Sequence, residues 1–224
     1  MDGVIIDSHP VHRKAWFEFL QTLGKEPTQA ELDFILEGRK RSEILQHFLG
    51  STSGATLANL GGKKDDLFQK MSDDVLPIPG VARFLEQTQQ AELSAAVATS
   101  ASKQRTTRTL EKLGLRRFFQ TVVTGDDVVL GKPSPEVYAL AAKRLRIAPE
   151  DLLAVEDAPA GVEAAISSGM RCIGLGVGLK AKALMVAGAE YIIQDFTKIS
   201  VSTLAEILYP KDSSSIAMIR ARSQ

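Results

Sequence analysis

Acidic residues at two separated points of the sequence are candidates for binding a metal ion. Asp2 lies in a glycine-containing loop at the start, and the adjacent Glu156 and Asp157 follow an apolar run at residues 152–155. Neighbouring carboxylates suit a hard cation such as Mg²⁺, which binds a few carboxylate oxygens and keeps water or phosphate oxygens at its other positions. Taken alone, the pair has a simpler interpretation, because Asp157 could cap a helix beginning near Pro159.

Hydroxyl and ammonium side chains that could bind phosphate occur elsewhere in the sequence, close to expected strands or in a short loop. Thr99 and Ser100 follow an apolar run and precede a helical pattern, where hydroxyl and backbone groups can donate hydrogen bonds to a phosphate. Lys132 lies between Gly131 and Pro133 and could neutralise phosphate as a point charge. The competing interpretations are ordinary helix capping for the hydroxyls and a solvated surface position for the lysine.

The elements that would position these groups are short apolar runs separated by helical patterns. Such runs are typical of buried parallel strands, and their alternation with helices predicts an α/β fold with a doubly wound parallel sheet. Parallel strands end at one edge of a sheet, so the acidic, hydroxyl and lysine groups can meet there. The expected strands span residues 93–99, 121–124, 152–155, 171–175 and 191–193.

Residues 11–77 show a different, helical pattern. Apolar residues from Ala15 to Leu20 recur at helical spacing, and Thr28 with Glu31 has the spacing of a capping box. Further helices are expected through Ile44 and Phe68, with Gly61-Gly62 as a turn between them. We therefore expect an α/β core of residues 1–10 and 78–211, an inserted helical domain of residues 11–77, and a loose tail at residues 212–224, with a ligand cleft between core and insertion.

The amino-acid composition argues against a protein that binds nucleic acid or membranes through its net charge. Lys plus Arg and Asp plus Glu each number 27, so no net field attracts nucleic acid or an anionic membrane. The single Cys172 reads as a buried structural thiol, and the lack of a disulfide framework favours a reducing compartment. The sequence has no run of the ~20 apolar residues that a membrane helix needs and no signal peptide, so we expect a cytoplasmic protein. A monomer is the expected oligomeric state, although no feature of the sequence determines it.

Four motifs, in order, resemble those of the haloacid dehalogenase superfamily of phosphotransferases. The resemblance covers nearly the whole chain and implies a Rossmann-like core with an inserted α-helical cap domain. Within the superfamily the chain is most similar to the branch of beta-phosphoglucomutase and sugar-phosphate phosphatases. The motifs are Asp-Gly-Val-Ile-Ile-Asp-Ser from Asp2, Ala-Thr-Ser at 98–100, Gly-Lys-Pro-Ser-Pro at 131–135 and Val-Glu-Asp-Ala-Pro-Ala-Gly-Val at 155–162.

The resemblance assigns expected roles to the residues of these motifs. In the family pattern Asp-x-Asp-Gly, the first aspartate attacks phosphorus to form an aspartyl phosphate and the second serves as general acid and base. Asp2 matches the second aspartate, and Met1 occupies the x position. Thr99, Ser100 and Lys132 would hold the phosphate during catalysis. The residues expected to bind Mg²⁺ are Asp2, Glu156 and Asp157.

The nucleophile and the strand that would lead to it therefore fall before Met1. Three explanations compete: an internal methionine taken as the start, a truncated product, or a descendant without catalysis. We favour the first, because the other motifs are intact and a sheet poorly tolerates loss of a central strand. As given, the chain is expected to be an inactive form of a Mg²⁺-dependent sugar-phosphate mutase or phosphatase. The alternative is a non-catalytic phosphosugar-binding or regulatory protein.

The helical insertion offers hints about a phosphorylated sugar substrate. The resemblance places His12, Trp16 and Arg41 where beta-phosphoglucomutase carries substrate-binding groups, and Lys103 resembles the mutase loop after the second motif. The simpler interpretations are packing for Trp16 and solvated surface for Arg41 and Lys103. The hinge at residues 8–10, Ser-His-Pro, is more similar to that of the sugar phosphatases, so mutase and phosphatase both stay open.

Overall fold

The structure is a computed structural model that describes residues 1–208, apart from the side chains of Asp74 and of residues 205–208. The tail expected at residues 212–224 lies outside the described residues. Helices and strands alternate from residue 81 onwards, as the expected α/β class requires, and residues 1–80 form helices and isolated β-bridges. No helix in the described part is both long and apolar enough to cross a membrane.

Ten α-helices occur in residues 1–208. Four precede the first strand of the α/β region, one leads into that strand, and the others alternate with the strands or follow the last one. They are α1 His9–Thr22, α2 Gln29–Ile35, α3 Arg41–Leu49, α4 Gly54–Met71, α5 Val81–Gln90, α6 Lys103–Lys112, α7 Glu136–Leu145, α8 Pro159–Ser167, α9 Gly178–Val186 and α10 Val201–Leu208.

The first two helices form as the sequence predicts. In α1 the buried residues include Ala15, Trp16 and Phe19, which share one face at helical spacing. The capping box before α2 is present: the Thr28 hydroxyl accepts a hydrogen bond from the Glu31 amide at 3.3 Å, and the Glu31 carboxylate accepts one from the Thr28 amide at 2.7 Å. These two bonds satisfy donors that a helix start otherwise leaves open.

The turn expected at Gly61-Gly62 is wrong, because both glycines lie inside the 18-residue helix α4. The physical reason is the close approach of Arg41 to Gly61. A Cβ atom on Gly61 would lie 2.3 Å from Arg41 Nε, whereas one on Gly62 would meet no atom of the described residues within 4 Å. Gly61 is therefore explained by packing and not by a chain reversal.

Five short strands occur in the α/β region of residues 81–208, and every pair of neighbours is parallel. The fourth and fifth have the predicted bounds, and the others are shorter than predicted or shifted by a residue. The strands are β1 Ala96–Ala98, β2 Thr121–Val123, β3 Leu153–Glu156, β4 Arg171–Leu175 and β5 Tyr191–Ile193.

The five described strands form two sheets and not one continuous sheet. Within the described residues β1 pairs with β2, and β3 pairs with β4, which pairs with β5. The order β3-β4-β5 pairs Ala154 with Cys172 and Gly174 with Ile192. The doubly wound parallel arrangement is thus present with an interruption between β1 and β3.

Among the described side chains, three groups of buried apolar residues hold these layers together. Two surround the strands, and Cys172 is buried in one of them, as expected for a structural thiol. The third is formed by buried residues of α1 to α4, and Leu67 packs against both this cluster and one of the clusters around the strands. The third cluster contains Trp16, Phe19, Leu20, Leu32, Ile35, Ile44, Leu45 and Leu57. An apolar cluster of these helices is compatible with an inserted helical domain at residues 11–77, which stays a prediction.

Candidate active site

The motif residues meet at the carboxyl edge of the strands. Thr99 and Ser100 follow β1, Glu156 ends β3, and Asp157 follows it. Together with Asp2 they line one cavity of about 90 Å³. Lys132, from the loop between β2 and α7, and the helical residues His12, Trp16 and Arg41 line the same cavity. The convergence of separate segments follows from the parallel direction of the strands.

Asp2 is held by three polar neighbours. Arg105 donates Nη1 to Asp2 Oδ1 at 2.8 Å and Nη2 to Oδ2 at 2.7 Å, and Ser8 donates its hydroxyl to Oδ1 at 2.6 Å. His12 Nε2 lies 3.1 Å from the same oxygen. Burial by itself would raise the pKa of Asp2, but the Arg105 and His12 contacts hold it well below its ordinary value. Asp2 is therefore a carboxylate at neutral pH.

Glu156 is buried and accepts from two donors. The Lys132 ammonium and the Tyr138 hydroxyl both contact Glu156 Oε1. Burial and the nearby Glu156 charge raise the pKa of Tyr138 well above its usual value, so the phenol keeps its proton. Gly161 leaves room for this carboxylate, because a Cβ atom there would lie 2.2 Å from Glu156 Oε2. The glycine of the fourth motif thus has a packing role.

Asp157 is the second buried acid of that motif. Lys180 Nζ lies 2.7 Å and His9 Nε2 3.1 Å from Asp157 Oδ2. Burial would raise the pKa of Asp157, but the hydrogen bond from His9 and the Lys180 charge lower it. The carboxylate also lies against the backbone of Gly3, where a Cβ atom would be 2.1 Å from Oδ2. Gly3 has φ +64°, a conformation that favours glycine.

The three predicted metal ligands do not form a ligand set in this arrangement. No group of three acidic, histidine or cysteine side chains in the described part of the chain is placed to hold one metal ion. Asp2 faces Arg105, Glu156 faces Lys132, and Asp157 faces Lys180. Their hard carboxylate oxygens fit Mg²⁺ chemically, and Lys180, whose side chain is 38% exposed, is the partner with room to move away.

The hydroxyl groups that follow β1 line the cavity and already form hydrogen bonds within the protein. Ser100 Oγ donates to the Gly38 carbonyl at 2.5 Å, which ties the loop to the segment between α2 and α3. Thr99 is buried, and its hydroxyl accepts from the Ala101 amide at 3.2 Å. Ser102 caps α6 by accepting from the Arg105 amide at 3.3 Å. A phosphate reaching these groups would have to replace the Ser100 contact with Gly38.

The helical wall of the cavity carries a charged cluster. Arg41 Nη1 contacts Asp65 Oδ2 and also donates to the Gly61 carbonyl at 3.3 Å. Ser102 Oγ donates to the same Asp65 oxygen at 2.6 Å, which joins the wall to the start of α6. Arg41 and Trp16 therefore line the cavity, although Arg41 is paired with Asp65 of the same helical segment, and their part in substrate binding stays a prediction.

Lys64 is a buried lysine that sequence analysis missed. Its Nζ lies 3.0 Å from His12 Nδ1 and 5.0 Å from the centre of the Trp16 ring. Burial and the charge of Arg105 lower its pKa to about 7. Burial and the charge of Lys64 lower the pKa of His12 to about 3, so that histidine is neutral. A neutral His12 that accepts at Nδ1 donates from Nε2 to Asp2, which completes a chain of contacts from Lys64 to Asp2.

Two further differences separate the predicted and observed sites. Lys103 is exposed at the start of α6 and does not line the cavity, although its backbone amide donates to Asp126 at 2.8 Å. Arg105, two residues further on, reaches Asp2 instead. The only sequence feature that could have placed Arg105 near Asp2 is its position one turn after the Ser102 cap. A charged residue on a helix is usually at the surface, so this feature was not sufficient.

Comparison with known proteins identifies the family of the chain. A family model described as haloacid dehalogenase-like hydrolase matches residues 1–175. A phosphorylated carbohydrates phosphatase from Thermotoga maritima is 30% identical over 208 residues, which cover 87% of this chain and 91% of that protein. A beta-phosphoglucomutase from Bacillus subtilis is 27% identical, with 92% of each chain covered.

A solved structure shares the fold over nearly the same length. The structure of CbbY from Rhodobacter sphaeroides in complex with phosphate superimposes with a TM-score of 0.80 at 26% identity. The match covers 91% of this chain and 96% of that one. The arrangement of helical segment and parallel strands is therefore one already seen in an experimental structure.

Proposed function

Because the chain belongs to the haloacid dehalogenase-like hydrolase family, we propose that it carries the site of an enzyme that transfers phosphate from phosphorylated sugars. The acceptor is water in a phosphatase or a sugar hydroxyl in a mutase. Relatives of both kinds cover most of the chain: the phosphorylated carbohydrates phosphatase and the beta-phosphoglucomutase. The membership of the family and the sugar-phosphate relatives support the same reaction class.

The single observation that carries the proposal is the convergence of the four motifs in one cavity. Asp2, Thr99, Lys132 and Asp157 come from four separate segments and line the same space. A phosphate ester carries negative charge, which Lys132 would neutralise, while hydroxyl and amide groups after β1 donate hydrogen bonds to its oxygens. Such convergence is what phosphate transfer requires and what a purely structural cluster would not need.

The proposed chemistry needs an aspartate directly before Met1. Its carboxylate would attack phosphorus and break the bond to the sugar oxygen, while Asp2 gives a proton to the departing alkoxide. Water or a sugar hydroxyl would then attack the aspartyl phosphate, Asp2 would take back a proton, and the nucleophilic carboxylate would be restored. By this proposal residues 1–224 alone bind phosphosugars without turnover.

The contact with Arg105 decides which half of the cycle Asp2 can perform in the arrangement described here. A carboxylate with a pKa well below its ordinary value carries no proton at neutral pH, so it acts as a base. To serve as an acid, Asp2 must first release Arg105, whose guanidinium is bound to both of its oxygens. We propose that movement of Arg105 accompanies substrate binding.

We further propose Mg²⁺ as the cofactor, held by the carboxylates of Asp2, Glu156 and Asp157 once their cationic partners have moved away. When bound, the ion would neutralise charge on the transferring phosphate. Lys180 and His9 hold Asp157 in its present position. The exposed Lys180 would turn outward when the cation takes its place.

Substrate entry requires the helical segment of residues 11–77 to move as a cap. The cavity of about 90 Å³ is far below the ~300–1,000 Å³ typical of small-molecule sites. Contacts that close it include Ser100 with Gly38 and Gly131 N with Glu43 Oε1 at 3.1 Å. In the open form Arg41 and Trp16 would contact the sugar or a second phosphate, since an arginine fork suits phosphate.

The test is a turnover assay on the chain preceded by an apolar strand that ends in aspartate. Hexose and pentose phosphates are supplied with Mg²⁺, and both inorganic phosphate and sugar-phosphate isomers are measured, which separates phosphatase from mutase. Lys132→Met should lower kcat/KM by about 100-fold or more. Lys143→Met, which removes an exposed lysine of α7, should leave it within about threefold. Absence of turnover on every substrate contradicts the proposal.

A non-catalytic phosphosugar-binding protein is the second candidate. The observation that favours it is the pairing of each motif carboxylate with a cationic side chain, which stabilises the cavity without metal or nucleophile. It predicts binding of the same sugar phosphates with no phosphoenzyme in the extended chain. Mass-spectrometric detection of a phosphorylated aspartate would remove this candidate.

A further inference from the structure

Asp65 lines the cavity of the candidate active site as a buried carboxylate. It belongs to α4, and its side chain is 10% exposed. Arg41 Nη1 contacts Asp65 Oδ2, and Ser102 Oγ donates to the same oxygen at 2.6 Å. Lys64 Nζ lies 3.8 Å from the other oxygen, Oδ1. Two basic side chains and a hydroxyl group thus surround one carboxylate of the chain itself.

The groups around Asp65 are of the kinds that bind phosphate. Guanidinium, ammonium and hydroxyl donors all form hydrogen bonds with phosphate oxygens, and the arginine fork is especially suited to them. Here the three kinds come from three separate helices or helix starts and meet at one part of the cavity wall. This part of the wall is therefore an anion-binding site, and its occupant is a side chain of the protein.

The pairing of Arg41 with Asp65 is built into the helical segment. Arg41 lies against α4 because Gly61 has no side chain, and a Cβ atom there would be 2.3 Å from Arg41 Nε. The Gly61 carbonyl also accepts from Arg41 Nη1 at 3.3 Å. Since α3 and α4 pack against each other, Asp65 stays beside Arg41 when the segment of residues 11–77 moves as a cap.

Asp65 carries its charge at neutral pH. Burial would raise the pKa of its carboxyl group, but the charges of Lys64, Arg105 and Arg41 lower it. A phosphate brought to this place would meet a like charge in a poorly solvated site, which strongly disfavours a ligand. Taking Arg41 and Ser102 for itself, the phosphate would also leave the Asp65 charge buried without partners.

A neutral hydroxyl group meets the opposite situation at Asp65. Its Oδ2 atom already has two donors, whereas Oδ1 accepts no hydrogen bond from the described residues, and Lys64 Nζ at 3.8 Å is beyond hydrogen-bond distance. A sugar hydroxyl can therefore donate to Oδ1 without disturbing the other contacts. Lys103, a further candidate for binding phosphate, does not line the cavity and adds no positive charge there.

We propose that Asp65 determines substrate specificity by taking the place of a second phosphate of the ligand. It selects sugar monophosphates, whose far end carries hydroxyl groups, and rejects sugar bisphosphates. This inference rests on the proposed function and narrows it. Transfer of phosphate from the enzyme to a hydroxyl of a sugar monophosphate yields a sugar bisphosphate, whereas transfer to water yields inorganic phosphate. A site that rejects bisphosphates therefore favours water as the acceptor.

The experiment measures binding to residues 1–224, with no need for turnover. A monophosphate and a bisphosphate of glucose, and the same pair for fructose, are titrated by calorimetry with Mg²⁺ present. Asp65→Ala opens the anion site, and Asp65→Asn removes the charge with little change of volume, so that a folded variant is retained if alanine is not tolerated. Asp66→Ala, which removes an exposed acid of the same helix, is the matched control.

The readout is the ratio of the two dissociation constants within each chain, because a general loss of affinity cancels in it. The unchanged chain and Asp66→Ala should bind each monophosphate about tenfold more tightly than the bisphosphate, or better. Asp65→Ala should shift this ratio towards the bisphosphate by about 30-fold or more, and Asp65→Asn by about threefold to tenfold. The same ratio in both Asp65 variants as in Asp66→Ala overturns the proposal, as does tighter binding of bisphosphates by the unchanged chain.

Sulfate separates a failure of this proposal from a failure of the proposed function, because this small divalent anion needs no sugar site. Sulfate should raise the melting temperature of Asp65→Ala more than that of Asp66→Ala, and an added Arg41→Met change should remove the difference. This result without sugar-phosphate binding in any chain would support Asp65 as the occupant of an anion site and reject the proposed function. Binding of monophosphates with no effect of Asp65 on the ratio or on sulfate would support the proposed function and reject this proposal.

Discussion

Arg105 and Asp2 form a two-pronged ion pair across 103 positions of sequence, with N–O distances of 2.8 and 2.7 Å. The arginine side chain is 6% exposed and the aspartate 22%. Burial would lower the pKa of Arg105, but the Asp2 charge raises it. Each group thus holds the other in its charged form, and the start of the chain is fixed to helix α6.

We expect Arg105→Met to destabilise the chain by about 3–5 kcal/mol, because it leaves the Asp2 charge in a poorly solvated place without its partner. Asp2→Asn should also destabilise it, since the guanidinium then keeps only a neutral acceptor. Urea unfolding at pH 7 measures both changes, with Arg108→Met, an exposed residue of the same helix, as the control.

The double variant tests whether the two losses share one cause. If the pair is the source, Asp2→Asn with Arg105→Met should cost less than the sum of the single changes by about 1–3 kcal/mol. Strictly additive losses would show that Arg105 stabilises the fold through its packing on Phe68, where the guanidinium lies 5.0 Å from the ring centre, and not through Asp2.

The buried Lys64 should give the chain a measurable pH dependence. Its pKa falls from 10.5 to about 7 on folding, so between these values the unfolded chain binds a proton that the folded chain lacks. The stability contribution of this group therefore rises as the pH increases from 7 towards 10, and stays at its lower level below 7. Between pH 7 and 9 we expect a rise of roughly 1–3 kcal/mol from this group.

Two variants isolate this effect from other titrating groups. Lys64→Met removes the buried amine, and Lys63→Met removes its exposed neighbour on α4. Urea unfolding of both at pH 7 and 9 should show the rise in Lys63→Met and its loss in Lys64→Met. Equal pH dependence in the two variants would contradict the assignment to Lys64.

The parts of the fold that could be predicted are those that local patterns determine. The bounds of the mainly apolar strand Arg171–Leu175 were predicted from the sequence. The capping box of Thr28 and Glu31 likewise predicted the start of the helix that follows it. The meeting of Thr99, Lys132 and Asp157 was also predictable, because parallel strands end at one edge.

The missed features depend on contacts between distant segments. Lys64 and Arg105 are charged residues on helices, which sequence places at the surface, yet packing against Trp16, Phe68 and the first loop buries them. Gly61 was read as a turn because glycine weakens helices, and only the approach of Arg41 explains its place. Tertiary contact overrides local preference in each case.

The glycine pair in α4 offers a matched comparison. Gly62→Ala should stabilise the chain by about 0.5–1 kcal/mol, because alanine favours helix and no atom of residues 1–208 lies within 4 Å of the new Cβ. Gly61→Ala makes the same helix gain but must displace Arg41 from Asp65. Its free energy of unfolding should be about 1–3 kcal/mol below that of Gly62→Ala by urea unfolding. Equal effects would mean that Arg41 moves without cost.

The hydroxyl of Tyr138 should stabilise the buried acid that ends β3. Tyr138→Phe removes a hydrogen bond to Glu156 and leaves Lys132 as the remaining side-chain donor to that carboxylate among the described residues. Because the acceptor is charged and buried, the free energy of unfolding should fall by about 1.5–3 kcal/mol. Tyr191→Phe is the control, since that ring is 47% exposed and its hydroxyl can bond to water, so its effect should stay within about 0.5 kcal/mol. Thermal or urea unfolding of the two variants measures the difference. A Tyr138→Phe chain as stable as the Tyr191→Phe chain would show that Lys132 alone compensates the Glu156 charge.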